Sequence, residues 1–464
     1  MNSSVNFNDL ADLKQFIPEL VIQAHKNQFN LDKPDLSYNN DTSSYLCDFV
    51  NSLLFTLISC SNNRNNNNNL FINTDDLLAD FNLSNKHNIQ KNKENLKMIE
   101  SGLIHNLIQF MSNIPNFIIN VLYISNEYTP NDETFIKNVN TIEDYYKKNN
   151  YINASSLNDE TPSYQICLIL PKYEDDVITE TNMQNRCAMK INHLLNRIQQ
   201  LNANPQYRNA KRQSVGIVIS SMELLSKNIF LTKKFWLSCP SKNLMHFLNV
   251  QQHLDLNCFL KYMTYMHIKW DQYKASFNQN STFKFNHSLK QYILDIVVHL
   301  RMHRFSVQGR SGGIASISLN DMMQLSILIG ITDNLLNKIQ GSNDDTWIDS
   351  VKGEEPESEN KAVDKDDIII TPDTIKTASR WYFPFKLQLT YKRRNNIKTR
   401  NFKKDYSVQY GSDVEIVDEL INSLDDLSIK KRNGSKINGD DSGYPFYVEL
   451  LVVEDVLKHV VPPF

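Results

Sequence analysis

Two arginines and three glycines open RFSVQGRSGGIASISLNDMMQL, residues 304–325, just ahead of a helix start. A glycine-rich basic turn is a composition that cradles phosphate, because backbone N–H groups can close on the oxygens while a cation neutralises them. A nucleotide hydrolase needs more: a strand, then GxxxxGK[ST], then a helix. GRSGG instead follows a helical pattern, and GK[ST] does not continue it. Upstream of residue 300 the only glycines are Gly102 and Gly216, so that loop cannot be written there at all. Gly312 and Gly313 are accounted for as a turn that needs positive φ, and Arg310 is the turn's candidate for contact with an anion.

Other spacings that could do chemistry are equally incomplete. Asp175 and Asp176 trail the apolar run YQICLIL (164–170), but Pro171 and Lys172 come between. A proline and a cation where magnesium would be held predict a solvated loop. His299 and His303 have the i, i+4 spacing of a zinc pair; no Glu follows the first and no third ligand completes the set, which predicts helix-surface histidines. Six cysteines, at 47, 60, 167, 187, 239 and 258, form no CxxC pair, which implies a reducing interior. The expectation is of no catalytic residue, no cofactor and no metal ligand.

YKRRNNIKTRNFKK (391–404) holds seven Lys or Arg and no acid. Lys392, Arg393, Arg394, Lys398, Arg400, Lys403 and Lys404 supply charge that attracts phosphates, and Tyr391 and Phe402 supply rings that can stack on bases. This is the footprint of a nucleic-acid contact or a nuclear-import signal. A solvated basic loop, paired with the acidic segment 342–367, accounts for the same composition. The chain as a whole adds no such pull, since its formal net charge is −3 and its pI near 6.4.

At 464 residues, with 41% apolar residues and a mean hydropathy of −0.44, the chain has room for two or three domains and for solvated inserts. MNSSVNFND lacks the basic and apolar regions of a secretory signal. YLCDFVNSLLFTLISC (45–60) is short for a membrane span and carries Asp48 and Asn51. These features predict a soluble intracellular protein with no membrane partner.

The elements that must position any site follow from periodicity. LADLKQFIPELVIQAH (10–25), SYLCDFVNSLLFTLI (44–58) and ENLKMIESGLIHNLIQFM (94–111) place apolar residues three and four apart, which predicts a helical N-terminal region over 1–112. NNRNNNNN (62–69) has nothing apolar to bury and reads as a loop. From residue 117 the pattern changes to FIINVLYI, YQICLIL and SVGIVIS, continuous apolar runs suited to strands covered on both faces. NMQNRCAMKINHLLNRIQQL lies between the last two, with Cys187, Ile191, Leu194, Leu195 and Ile198 on one helical face. Strand, helix, strand predicts a parallel three-layer α/β domain over 113–282.

Helical patterns resume at KQYILDIVVHLRMHRF, where Ile293, Ile296, Val297 and Leu300 form a stripe. They continue at SLNDMMQLSILIGI, where Ser318 and Asp321 have capping-box spacing. An all-α unit over 283–390 is expected, interrupted by an acidic, disordered insert at about 341–368 that holds ten Asp or Glu. TPDTIKTASRW begins with Thr371 as N-cap and Pro372 at the first helical position, and Pro384 limits the helix. Residues 391–464 are read as a basic loop and a C-terminal segment that completes the fold.

KQYILDIVVHLRMHRF, SGGIASISLNDMMQLSILIGI, TIKTASRWYFPFKLQL, YGSDVEIVDELI and VVEDVLKHVVPPF resemble, as collinear blocks, the fungal maintenance of telomere capping protein 2 family. LTKKFWLSCP extends the resemblance into the α/β region. The blocks from 290 to 390 also resemble the helical lid of the magnesium chelatase and MoxR branch of AAA+ ATPases. In those lids a helix start of the form Ser-Pro-Arg-Ala brings a sensor arginine to the nucleotide; the matching residues are Ser318, Leu319, Asn320 and Asp321, so Asn320 stands at the arginine position. The resemblance implies an AAA+-like domain lacking a Walker loop, followed by a lid. It implies a non-catalytic interaction protein in telomere capping, with unidentified protein partners and a nuclear or cytoplasmic location. The rival expectations are a nucleic-acid-binding factor using 391–404 and an unconventional ATPase.

Overall fold

A computed structural model describes residues 49–60, 68–74, 89–124, 132–148, 163–171, 181–204, 212–222, 224–225, 229–240, 244, 256–277, 287–303, 305–306, 314–341, 370–389 and 446–463. The architecture is α/β. Five strands, β1 (Asn68–Asn73), β2 (Phe117–Ile124), β3 (Ser163–Pro171), β4 (Arg212–Ser220) and β5 (Phe235–Pro240), form one sheet in the order β2-β3-β4-β1-β5. Every neighbouring pair is parallel, as runs of continuous apolar residues require.

Side chains alternate between two cores, which makes the sheet the middle of three layers. Leu70 and Ile72 of β1, Ile166, Leu168 and Leu170 of β3, and Ile217 and Ile219 of β4 face one core. Phe71, Cys167, Ile169 and Val218 face the other. The first core is covered by α1 (Phe49–Cys60), α2 (Ile89–Ser112) and α6 (Leu256–Phe277), with α7 (His287–Met302), α8 (Ser318–Gly341), α9 (Pro372–Lys386) and α10 (Tyr447–His459). The second is covered by α3 (Glu133–Lys148) and α4 (Thr181–Ala203), while the short α5 (Ile229–Thr232) leads into β5. The helices expected as a separate unit over 283–390 therefore share one continuous core with the sheet.

Two local expectations need correction. Asn68 and Asn69, read as the end of a loop, begin β1, and Asn69 holds its place because its side-chain amide donates to the Phe235 carbonyl at 3.2 Å. That strand lies between β4 and β5, so the segment 1–112 is not helical throughout and contributes to the sheet. Helix α9 starts as expected, with Thr371 accepting from the Thr374 N–H and Pro372 at its head. It runs two residues beyond Pro384 to Lys386, because proline removes one backbone donor but Leu387 still bonds to the Phe383 carbonyl. The candidate helix at 10–25, the acidic insert after Gly341 and the loop at 391–404 lie outside the described residues.

Gly216 of β4 marks a close approach between layers. A β-carbon there would stand 2.4 Å from Leu195 Cδ2 of α4. Only glycine lets this helix lie so near the strand. On its other side α4 meets α3: Arg197 binds Glu143 at 2.6 Å, and Lys190 binds Asp132, which also accepts from the Phe135 N–H at the head of α3.

Candidate functional site

The start of α8 holds Ser318 and Asp321, the pair with capping-box spacing. Both side chains are buried and meet one phenol: Tyr382 OH stands 2.6 Å from Asp321 Oδ2 and 3.1 Å from Ser318 Oγ. Burial, and then the neighbouring Asp321 charge, pushes the Tyr382 hydroxyl well above its ordinary range. It therefore stays protonated and donates. The Tyr382 ring packs edge-on to Phe235 with centroids 5.0 Å apart.

One turn further along α9, Lys386 turns back over the beginning of β5. Its Nζ donates to the carbonyls of Lys233 and Lys234, each at 2.6 Å, and lies 5.2 Å from the Tyr382 ring centroid. Burial brings this amine down to about 7; nearby Lys234 adds to the fall and Asp321 opposes it. Charged or neutral, the amine has hydrogens for both carbonyls. Phe385 and Phe446 meet beside it at 5.0 Å, so the end of α9 closes over the β5 edge.

These contacts fix which end of the sheet the α8 start occupies. Phe235 pairs with Asn68, at the beginning of both strands, while Pro240 pairs with Asn73 at their ends. Six residues at about 3.3 Å each separate the two ends by roughly 20 Å. Ligands of open α/β sheets gather outside the carboxyl ends of the strands. Asn320, exposed at the head of α8, lies instead with Tyr382 and Phe235 at the amino end. The start of α8 thus lies at the end of the sheet opposite the carboxyl ends of the strands.

At the corner that a nucleotide would use, β1 ends at Asn73, and the next described helix is α2. The residues between them in sequence, TDDLLADFNLSNKHN (74–88), contain no glycine and no GK[ST], the residues a phosphate loop requires. Thr74, the last described residue before α2, donates its N–H to Ser220 O of β4 at 3.1 Å. At the end of β3 stands Pro171; Lys172, Asp175 and Asp176 lie outside the described residues.

Of the two histidines expected on a helix surface, His299 lies on α7 and His303 just past its end, where its side chain is buried instead. His299 Nδ1 bonds the Asp295 carbonyl at 2.7 Å, whereas His303 Nε2 meets the buried Asp455 carboxylate of α10 at 3.0 Å. Its Nδ1 accepts from the Phe305 N–H at 3.3 Å. Among the described residues no group of three or more His, Cys, Asp or Glu is placed to hold a metal ion. Burial raises the Cys167 and Cys187 thiols to about 12, which keeps them unreactive.

Arg310, Gly312, Gly313 and the basic residues Lys392, Arg393, Arg394, Lys398, Arg400, Lys403 and Lys404 lie outside the described residues. GRSGG also spells G-x-S-x-G around Ser311, but it follows helix α7, and a nucleophile elbow needs a preceding strand. The flanks of this turn are tied: Arg301 Nε donates to the Ile314 carbonyl at 3.2 Å, and Ser306 bridges Leu389. Sequence reasoning missed Tyr382 and Lys386. Their only sequence signal was a tyrosine and a lysine one turn apart in an otherwise apolar helix end, WYFPFK.

Among the described residues no helix is long and apolar enough to cross a membrane. No family model and no solved structure matches the chain. Fungal relatives do, among them three proteins each named Maintenance of telomere capping protein 2. The Lachancea thermotolerans protein is 33% identical over 177 residues, 38% of this chain and 45% of the relative. The Kluyveromyces lactis protein is 35% identical over 177 residues, 38% of this chain and 47% of the relative. The Saccharomyces cerevisiae protein is 31% identical over 176 residues, 38% of this chain and 36% of the relative. The chain is thus similar to telomere-capping proteins over a stretch that spans less than half the length of each.

Proposed function

We propose that this protein acts in telomere capping as a non-catalytic interaction protein, built on an AAA+-like α/β domain whose helical layer no longer serves a nucleotide. The observation that carries the non-catalytic reading is the connection from β1 to α2. Residues 74–88, which follow β1 in sequence, hold no glycine and no GK[ST], so the phosphate-loop motif is missing after the strand where it would stand. The Tyr382 cluster supports the same reading, because Ser318 and Asp321 serve to dock α8 against α9 at the far end of the sheet. The process itself rests on the name shared by the relatives. A fold alone would not assign it.

The test has two arms. The full chain, expressed in a Kluyveromyces lactis strain deleted for its relative, is expected to restore chromosome-end protection, scored by the length of single-stranded ends. Isothermal titration of the purified chain with ATP and magnesium is expected to show no binding. Micromolar affinity for ATP would overturn the non-catalytic reading, and failure of a stably expressed chain to restore protection would overturn the telomere reading. Rescue lost on charge reversal of Lys392, Arg393 and Arg394, together with loss of salt-sensitive binding to single-stranded DNA, would replace the interaction protein with a direct nucleic-acid binder.

A further inference from the structure

At the amino end of β1 and β5, on the α4 side of the sheet, lies an open cavity of about 290 Å³. Its walls are Asn69 of β1, Asn192, Leu195, Asn196 and Gln199 of α4, Phe230 of α5, and the Lys233–Phe235 turn. Among the described residues, four side-chain amides and two ammonium groups line it, and no carboxylate does. Cavities of this kind arise where strand ends and helices fail to fill space with apolar groups. Here one sign of charge dominates what remains.

The lysines are held in place from behind. Lys386 fixes the Lys233 and Lys234 carbonyls, and Lys234 Nζ donates to Asn196 Oδ1 at 2.6 Å. Burial without a compensating carboxylate brings Lys234 down to about 8. Asp321, the acid that acts on Lys386, belongs to the Tyr382 cluster. An anion entering the cavity would therefore supply the countercharge that the fold omits. Leu195, pressed to within van der Waals limits of Gly216, gives the floor an apolar spot. Phe230, 55% exposed, offers a ring at the rim.

We propose that this cavity binds a small phosphate monoester with a polar body, its phosphate on Lys233 and Lys234 and its hydroxyl or amide groups on Asn69, Asn192, Asn196 and Gln199. A monoester carries close to two negative charges near neutral pH, which matches two ammonium groups. Amides both donate and accept, which suits a sugar better than an apolar ligand. The site lies at the opposite end of the sheet from the nucleotide corner and does not rest on the telomere reading.

The experiment is isothermal titration of the full chain, at constant ionic strength, with ribose 5-phosphate, adenosine 5′-monophosphate, ribose and inorganic phosphate. One or both phosphorylated sugars are expected to bind at least tenfold more tightly than inorganic phosphate, with ribose silent. Lys233→Met, on an exposed side chain, and Asn192→Leu are each expected to weaken binding at least fivefold, and Lys233→Met with Lys234→Met to abolish it; Lys147→Met, remote on α3, leaves it unchanged. Circular dichroism confirms that each variant folds, and the two single variants carry the test if the double one does not. Equal affinity for inorganic phosphate and the sugar phosphates, no binding by any probe, or undiminished binding in folded Lys233→Met and Asn192→Leu variants would overturn the proposal.

Discussion

Tyr382 and Asp321, from different helices, are joined by a buried hydrogen bond of 2.6 Å at the amino end of the sheet. This bond, with the Ser318 contact, locks the start of α8 to the end of α9. Tyr382→Phe leaves a buried carboxylate short of its donor, which is expected to cost about 1–3 kcal/mol in urea denaturation. A loss within error would mean that the cluster is energetically idle. Asn320→Arg, by contrast, is expected to confer no ATP affinity in calorimetry, because it lies at the wrong end of the sheet.

Gly216 and Leu195 define the second prediction. Gly216→Ala puts a methyl group where the leucine terminus now sits, and overpacking of this kind costs about 1–3 kcal/mol. Adding Leu195→Ala removes the obstructing branch. The double-mutant cycle is expected to show a favourable coupling of about 1 kcal/mol, with the pair less destabilised than the sum of its parts.

Two carboxylates predict opposite responses to pH. Burial would raise Asp132, but bonds from Lys190, Thr134 and the Phe135 N–H outweigh it and bring the group from 3.8 to about 2. In the unfolded chain Asp132 binds protons more readily, so its contribution is full above pH 4 and is lost as pH falls toward 2, by up to about 2 kcal/mol. Asp333 is raised by burial from 3.8 to about 6, with Thr374 offsetting part of the rise. Here the folded chain holds the proton more tightly, so the penalty is full above pH 6 and vanishes below pH 4. Asp333→Asn is expected to gain about 1–2 kcal/mol at pH 7.5 and almost nothing at pH 3.5, while Asp132→Ala loses stability at pH 7.5; thermal unfolding across pH separates the two.

Strands β3 and β4 were legible because burial on both faces leaves an unbroken apolar signature in ICLIL and GIVIS. By contrast β2, at the sheet edge, leaves Ile118 and Tyr123 exposed and is not covered on both faces as FIINVLYI suggested. β1 was hidden for a definite reason: only Leu70, Phe71 and Ile72 are apolar, and its flanking asparagines disguise it as low-complexity loop. Asn69 is held by the Phe235 carbonyl, a partner 166 residues away that no local pattern reveals. The Thr371 cap was readable because it depends on neighbours in sequence. The site-forming contacts of Tyr382 and Lys386 were not, because each reaches across more than 60 residues.

The placement of β1 also governs how this fold can be made. Leu70 has Ile217 on one side and Leu237 on the other, both far downstream. At ordinary translation speeds roughly 10 to 30 s elapse between synthesis of β1 and that of its two neighbours. During that interval Leu70, Phe71 and Ile72 have no sheet to join. The asparagine-rich flank, uninformative as a fold signal, keeps this brief apolar segment hydrated while it waits, and the sheet closes around its oldest strand last.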